Sequence, residues 1–190
     1  KVSAFAGVNV LNRDNIPFEV KPGTDVGPNC HSCKYADVCP DKYSIPDIEN
    51  GPWSDEAASV DGYYKDLCMY TSDKNNHDNG IAIVEYENGA RASHLECFIT
   101  PISDRRYTIN GTLGQIEASL TDRKITVLPR WSKEVVTYDI PEEDGGHGGA
   151  DPKLLENFIK VISGEVANQS TTEHGMLSTA VGQAAELARR

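Results

Sequence analysis

Hydrophobic and polar residues alternate in short runs along much of the chain, which is typical of strands with one buried face. Residues 2–11 form one such run, and residues 81–87 and 90–99 form two more on either side of Asn88-Gly89. An Asn-Gly pair between two such runs predicts a β-hairpin with a type I′ turn. Four further strands are predicted at 106–110, 115–120, 124–128 and 134–140. Their spacing predicts an antiparallel meander.

The spacing of apolar residues becomes helical after Gly149. Asp151 followed by Pro152 predicts an N-cap and a first helical position, and Gly164 predicts the end of that helix. A second helix is predicted from Thr172. We therefore expect an α+β fold, in which an open, mostly antiparallel sheet has helices packed on one face.

Residues 12–79 interrupt this pattern with a long polar segment. They contain 9 of the chain's 41 Leu, Ile, Val and Phe residues, and 13 acidic against 6 basic residues. A segment of this composition does not order easily by hydrophobic burial alone. We treat it as a polar, cysteine-rich insertion (hereafter the insertion) in a single domain that spans residues 1–190.

The formal charge of the 190 residues is −11 and the isoelectric point is about 4.8. Nucleic acid is excluded as the main partner, because phosphate binding needs a basic surface. No apolar run approaches the length of a membrane-spanning helix, and residues 1–10 lack the features of a signal peptide. We therefore expect no membrane association and a cytoplasmic location.

Four of the five cysteines, Cys30, Cys33, Cys39 and Cys68, lie in the insertion. Four thiolates could form a tetrahedral zinc site or hold an iron–sulfur cluster, and the metal would help the segment to order. Two alternatives remain open. The cysteines are reduced thiols without a metal, or they form one or two disulfides, which need an oxidising compartment. Cys97 falls on a predicted strand, where we expect a core thiol.

Four glycines surround His147 in the sequence GGHGG, just before the predicted helix at Asp151. Glycines let the backbone approach a ligand closely, and a nearby helix N-terminus favours an anionic or hydroxyl-rich ligand. Histidine can orient or protonate a substrate oxygen near neutral pH. We therefore predict a substrate-binding loop of Gly146, His147, Gly148 and Asp151. The alternative is a flexible linker, with Asp151 serving as the N-cap.

Several segments in this order resemble one known family. They are VEYENGARA, RRYTINGTLGQIE, GGHGGADPKLLENFI and HGMLSTAVGQAAELAR, preceded by a strand and a cysteine-bearing segment. This order is similar to the C-terminal domain of the glucose–fructose oxidoreductase, inositol dehydrogenase and rhizopine-catabolism (Gfo/Idh/MocA) oxidoreductases. The resemblance covers nearly the whole chain and is strongest over residues 81–190. It implies an open antiparallel sheet that shapes a substrate pocket and often makes oligomer contacts.

The resemblance also implies an N-terminal Rossmann domain that binds NAD or NADP, together with catalytic residues in a Glu-Lys-Pro motif and an Asp/His pair. No such motif occurs in this chain, and no G-x-G-x-x-G follows a predicted strand. We therefore expect a piece of a longer enzyme that carries no catalytic residue and is inactive by itself. The longer enzyme is expected to act on a sugar, cyclitol or related polyol as a homo-oligomer formed through the sheet.

Two other functions remain open at this stage. The chain could be a free-standing, metal-stapled binding module without catalysis, in which case its gene would begin near Lys1. It could also be a family member that cleaves glycosides through transient oxidation by NAD.

Overall fold

The structure, a computed structural model, describes residues 1–46, 48–49 and 51–190. Asp47 and Asn50 of the insertion lie outside the described residues. The strands are β1 (Val2–Gly7), β2 (Asn79–Glu85), β3 (Arg91–Cys97), β4 (Arg106–Asn110), β5 (Gly114–Ser119), β6 (Lys124–Pro129) and β7 (Val136–Asp139). The helices are α1 (Asp55–Asp61), α2 (Gly146–Ile162) and α3 (Thr172–Ala188). The chain divides into two compact units, residues 1–99 with 181–190, and residues 100–180.

The first unit contains an antiparallel sheet in the order β1-β2-β3. Phe5, Ile81 and Leu95 lie in register on one face, and all three side chains are exposed. The other face carries Ala4 and Val84, which are buried. Side chains alternate between the two faces of a sheet, so residues at neighbouring positions of one strand lie on opposite faces. One face of this sheet is therefore apolar and exposed, and the other carries buried side chains.

The β2-β3 hairpin lies where it was predicted, but its turn differs from the prediction. The Tyr86 amide donates to the Ala90 carbonyl at 2.9 Å, which closes a loop of three residues. Gly89 has a φ of 82°, whereas Asn88 is not in the left-handed region. A type I′ turn requires both residues there, so the type I′ prediction is wrong and the loop is the three-residue kind that ends in a left-handed glycine.

The second unit contains the predicted meander, in the order β4-β5-β6-β7 with every neighbouring pair antiparallel. Alternate positions place an apolar set on one face, with Tyr107, Ile109, Ile116, Val127 and Tyr138 among its members. The other face is mostly polar. The single predicted sheet is therefore two sheets, of three and four strands, and the α+β class is confirmed.

α3 begins at its predicted start, Thr172, whereas α2 begins at Gly146, before the predicted N-cap Asp151, with non-helical conformations at residues 147–149. Thr171 caps α3, since its Oγ1 accepts the His174 amide at 3.3 Å. In α2 the apolar side chains Leu154, Leu155, Phe158, Ile159 and Ile162 are between 60% and 71% exposed. These five side chains form an exposed apolar stripe along α2.

The insertion orders around polar rather than aliphatic side chains. Of the insertion's described residues, those that are buried are Asn29, Tyr35, Ser54, Ala58, Asp66, Cys68, Tyr70 and Asp78. None of them is Leu, Ile, Val or Phe, as its composition predicted. Among the described residues, no helix is both long and apolar enough to cross a bilayer.

Candidate functional site

The loop around His147 forms one left-handed turn at the start of α2. His147, Gly148 and Gly149 have φ values of 53°, 67° and 86°. Glycine adopts this region without penalty, but a residue with a Cβ does so at a cost of about 1–2 kcal/mol. Such strain in a non-glycine residue is often found at functional sites.

Asp151 holds the His147 ring in place. The ring Nδ1 lies 2.9 Å from Oδ1 and 3.0 Å from Oδ2 of Asp151. A carboxylate only accepts hydrogen bonds, so Nδ1 carries a proton and the neutral ring keeps its acceptor lone pair on Nε2. The His147 side chain is 84% exposed, which leaves Nε2 free to meet a ligand. The prediction that Asp151 is the N-cap is wrong, because Asp151 lies inside α2 and its carboxylate contacts the histidine ring.

A Cβ would make close contacts at two of the loop's glycines, with the movable end of the Asp151 side chain at Gly146 and with the Cβ of Glu143 at Gly149. A Cβ on Gly146 would lie 2.1 Å from Oδ2 of Asp151, and a Cβ on Gly149 would lie 2.7 Å from the Cβ of Glu143. Gly148 faces open space and is needed for its positive φ alone. The structure thus brings all four predicted residues of the loop together, and shows why three of them are glycine or aspartate.

The four predicted metal ligands do not form a metal site among the described residues, although two segments of the insertion bring the backbones of Cys30 and Cys68 near each other. Cys30, Cys33 and Cys39 lie on successive turns, and Cys68 lies beside Cys30 because Asn29 pairs with Leu67. All five cysteines of the chain are free thiols, so the disulfide alternative finds no support. In the part of the chain that the structure describes, no three His, Cys, Asp or Glu side chains are arranged to hold a metal ion. Cys97 is exposed, so the expected core thiol is wrong.

A buried carboxylate next to the cysteines was not predicted. Asp66 is 2% exposed and accepts hydrogen bonds from the His31 amide at 2.9 Å, His31 Nδ1 at 2.7 Å and Asn29 Nδ2 at 3.2 Å. Burial acts to raise the pKa of Asp66, but these hydrogen bonds outweigh it and hold the pKa below its usual value. Asp66 therefore remains a carboxylate that joins two distant segments of the insertion.

A comparison with known protein families identifies the family of this chain. Residues 51–190 match the profile of the family described as "Oxidoreductase family, C-terminal alpha/beta domain". The chain belongs to this Gfo/Idh/MocA oxidoreductase family and forms its C-terminal domain.

The chain is also similar to individual proteins. The chain is 28% identical over 181 residues to the Bacillus subtilis (strain 168) protein named "Putative oxidoreductase YteT". The matched region covers 84% of this chain and 41% of that protein. The chain thus spans about two fifths of that relative's length. A solved structure titled "Structure of putative oxidoreductase from Thermotoga maritima" is 21% identical, with a TM-score of 0.47, over 60% of this chain and 32% of that one.

Proposed function

We propose that this chain is the substrate-binding and oligomerisation domain of a longer NAD(P)-dependent oxidoreductase that acts on a sugar, cyclitol or related polyol. Family membership supports the oxidoreductase class, and the relative's greater length supports an N-terminal partner domain. The nicotinamide would be bound mainly by that domain, so no residue of this chain is assigned to it. Nor is any residue of this chain catalytic, and the chain by itself would be inactive.

The His147 loop carries the proposal. Its Nε2 can accept a hydrogen bond from a substrate hydroxyl when the ring is neutral, and can donate one to a substrate oxygen when the ring is protonated. The bond from Nδ1 to Asp151 fixes the ring orientation before the substrate arrives. A polyol, which offers neighbouring hydroxyl groups, is a ligand class that suits one oriented and exposed ring nitrogen.

The uncovered apolar stripe of α2 supports the idea of a partner domain. Five adjacent apolar side chains that are more than half exposed indicate a surface that another part of a longer protein covers. We propose that the N-terminal domain covers this stripe and that water is thereby excluded from the substrate.

Replacement of His147 by alanine in the full-length enzyme is expected to raise KM for the polyol about tenfold with a small change in kcat, since one hydrogen bond contributes about 0.5–1.5 kcal/mol. The measurement is nicotinamide reduction with a panel of cyclitols, sugars and sugar alcohols. Asp151→Asn should have a smaller effect, because the amide oxygen still accepts from Nδ1.

His174→Ala is the matched control, because His174 is another exposed histidine, at the start of α3. An unchanged KM for His147→Ala would remove His147 from the pocket. Cleavage of aryl glycosides without net nicotinamide reduction would instead favour the glycosidase alternative over a dehydrogenase.

The open face of the β1-β2-β3 sheet is proposed as the oligomer contact. Leu95 and Phe5 are each 76% exposed there. Leu95→Glu should shift the full-length protein from oligomer to monomer in sedimentation velocity, because a charge buried in an apolar interface costs several kcal/mol. Thr108→Glu, on the polar face of β4, should leave the oligomer intact. If Leu95→Glu also left it intact, the contact would have to lie elsewhere.

A further inference from the structure

Three segments of the insertion line a cavity of about 250 Å³. Arg13 lines it from a short 3₁₀ turn, and the other walls belong to residues 25–28 and 67–72. The Cys68 amide donates to the Pro28 carbonyl at 2.7 Å, so the second and third segments are hydrogen-bonded to each other. The cavity is therefore built by backbone pairing between parts of the insertion that are distant in sequence.

Gly27 is the point of close approach between these two segments. A Cβ at this position would lie 2.7 Å from Oγ1 of Thr71 and 3.1 Å from the Cβ of Cys68. Gly27 also has a φ of 88°, a conformation that costs residues with a Cβ energy. A substitution at Gly27 would therefore strain the backbone and displace the Thr71 hydroxyl from the cavity wall.

Arg13 is held at the cavity by contacts on both sides. Its Nη2 donates to the Thr71 carbonyl at 3.3 Å. The chain just before it is held by the Asp78 carboxylate, which accepts the Val10 and Leu11 amides at 2.8 and 2.7 Å. A guanidinium carries five N–H donors, so most of those of Arg13 remain available to a ligand.

The other polar side chains of the cavity also have unused hydrogen-bonding capacity. Among the residues that the structure describes, the Asp25 carboxylate and the hydroxyls of Thr71 and Ser72 have no hydrogen-bond partner in the protein. Within the same residues, no ion pair joins Arg13 to Asp25 or to another acid. The cavity thus presents a guanidinium, a carboxylate and two hydroxyls to whatever enters it.

The rest of the lining is apolar and consists of Val26, Pro28 and Leu67. Leu67 is 48% exposed, so a ligand that covers it gains from the burial of apolar surface. Ligand sites usually combine such an apolar lining with a few polar groups that fix orientation. A sugar ring fits this combination, because it has C–H groups on its faces and hydroxyls around its edge.

The charges of the cavity favour a neutral ligand. Arg13 attracts a carboxylate that Asp25 repels, and Asp25 attracts an amine that Arg13 repels. A hydroxyl both donates and accepts, so neighbouring hydroxyls of one ring can donate to the carboxylate and accept from the guanidinium. The volume lies below the roughly 300–1,000 Å³ of sites for drug-sized ligands, which suits a single ring.

We propose that this cavity binds one neutral sugar ring, with Arg13 and Asp25 as the residues that select it. It is a second carbohydrate site, since none of its described lining residues belongs to the His147 loop. The proposal concerns binding alone, so it does not depend on turnover or on the role proposed for His147.

The test is a ligand-observed NMR titration of the full-length protein with three probes that share one ring: methyl β-glucopyranoside, glucuronate and protonated glucosamine. We expect the neutral glucoside to bind more tightly than either charged probe. Arg13→Gln should weaken glucoside binding about tenfold, because hydrogen bonds from a charged group are lost. Asp25→Asn should reverse the preference toward glucuronate, since Arg13 then carries the remaining charge. A loss of packing alone would weaken all three probes alike.

Arg105→Gln and Asp14→Asn are the matched controls, because both residues are exposed and neither lines the cavity. We expect both variants to bind the glucoside as the unchanged protein does. The titrations are repeated in the His147→Ala protein, which removes the His147 ring as a competing partner for the sugar. Glucoside binding that persists there and still responds to Arg13→Gln would support the second site whatever the outcome for His147.

Hydrogen exchange of the unchanged protein locates the bound sugar without any variant. With the glucoside present, the amides of Gly27, Thr71 and Ser72 should exchange more slowly. Protection confined to residues 145–151, or equal glucoside affinity in Arg13→Gln and the unchanged protein, would overturn the proposal. Tighter binding of glucuronate than of the glucoside by the unchanged protein would overturn the choice of a neutral ring.

Discussion

Replacement of Asp78 by alanine is expected to lower the free energy of unfolding by about 3 kcal/mol. The loss of a buried carboxylate that accepts several hydrogen bonds is among the larger single-residue effects. Asp78 is 2% exposed and accepts the amides of Asn9, Val10 and Leu11 at 3.1, 2.8 and 2.7 Å. These bonds turn the chain at the end of β1. Without the carboxylate, these three backbone amides lose their hydrogen-bond acceptor at the end of β1.

The same carboxylate makes the stability depend on pH. Burial acts to raise the pKa of Asp78, but the amides of Leu11, Val10 and Asn9 lower it to about 2. A lowered folded-state pKa stabilises the protein above the unfolded value near 3.9, and about 2 kcal/mol is lost as the pH falls from about 4 through 2.

Denaturant unfolding between pH 7 and pH 2 measures both effects. Asp78→Asn should be destabilised at pH 7 and should lose less on acidification than the unchanged protein. Asp37→Asn, whose side chain is fully exposed, should change stability by less than about 0.5 kcal/mol. Parallel pH profiles for the Asp78→Asn variant and the unchanged protein would contradict the role of this carboxylate.

The strands and helices were predictable because apolar residues recur along each of them at the regular spacing of a strand or a helix. In the β4–β7 meander, apolar residues at every second position specify both the strands and the face that they share. The start of α3 is also marked by a local signal, since the capping residue Thr171 accepts a hydrogen bond from the amide of His174, three residues later. These signals lie within a few residues of one another, so a single sequence contains them.

Local rules gave the position of a feature more reliably than its detailed geometry. Asn88-Gly89 correctly indicated a hairpin, but Asn88 stays out of the left-handed region and its Oδ1 accepts the Ala90 amide at 3.0 Å. Asp151 has the sequence context of an N-cap, yet its carboxylate contacts the His147 ring instead. In both cases a side-chain hydrogen bond competes with the expected backbone conformation.

The buried acids could not have been predicted from the sequence. The Asp78 carboxylate meets the Leu11 amide across 67 positions, and Asp66 meets His31 across 35. Aspartate in a polar segment is ordinarily exposed, so nothing local marks these two among the 13 acidic residues of the insertion. The cysteines could be singled out from the sequence because residue type, rather than periodicity, marks them, but the sequence does not contain the distances between their sulfurs.

Replacement of Asp66 by alanine is expected to open the insertion, at a cost of about 3 kcal/mol, because it leaves the His31 amide, the His31 ring and the Asn29 amide group without their buried acceptor. The effect should be local to the insertion. Hydrogen exchange of the Cys30 and Cys68 amides, which bridge its two segments, should accelerate strongly, while amides of the β4–β7 sheet should exchange at their original rates.

A double-mutant cycle separates the Asp66–His31 contact from a general packing loss. The cost of Asp66→Ala combined with His31→Ala should fall short of the sum of the single costs by about 1–3 kcal/mol, because both changes remove the hydrogen bond between the His31 ring and the Asp66 carboxylate. Asp37→Ala combined with His31→Ala should instead be additive, since the Asp37 side chain is fully exposed and forms its ion pair with Lys42. Additivity in the Asp66–His31 cycle would mean that the two residues do not depend on each other. The stability of the insertion would then have to come chiefly from its thiols and aromatic side chains.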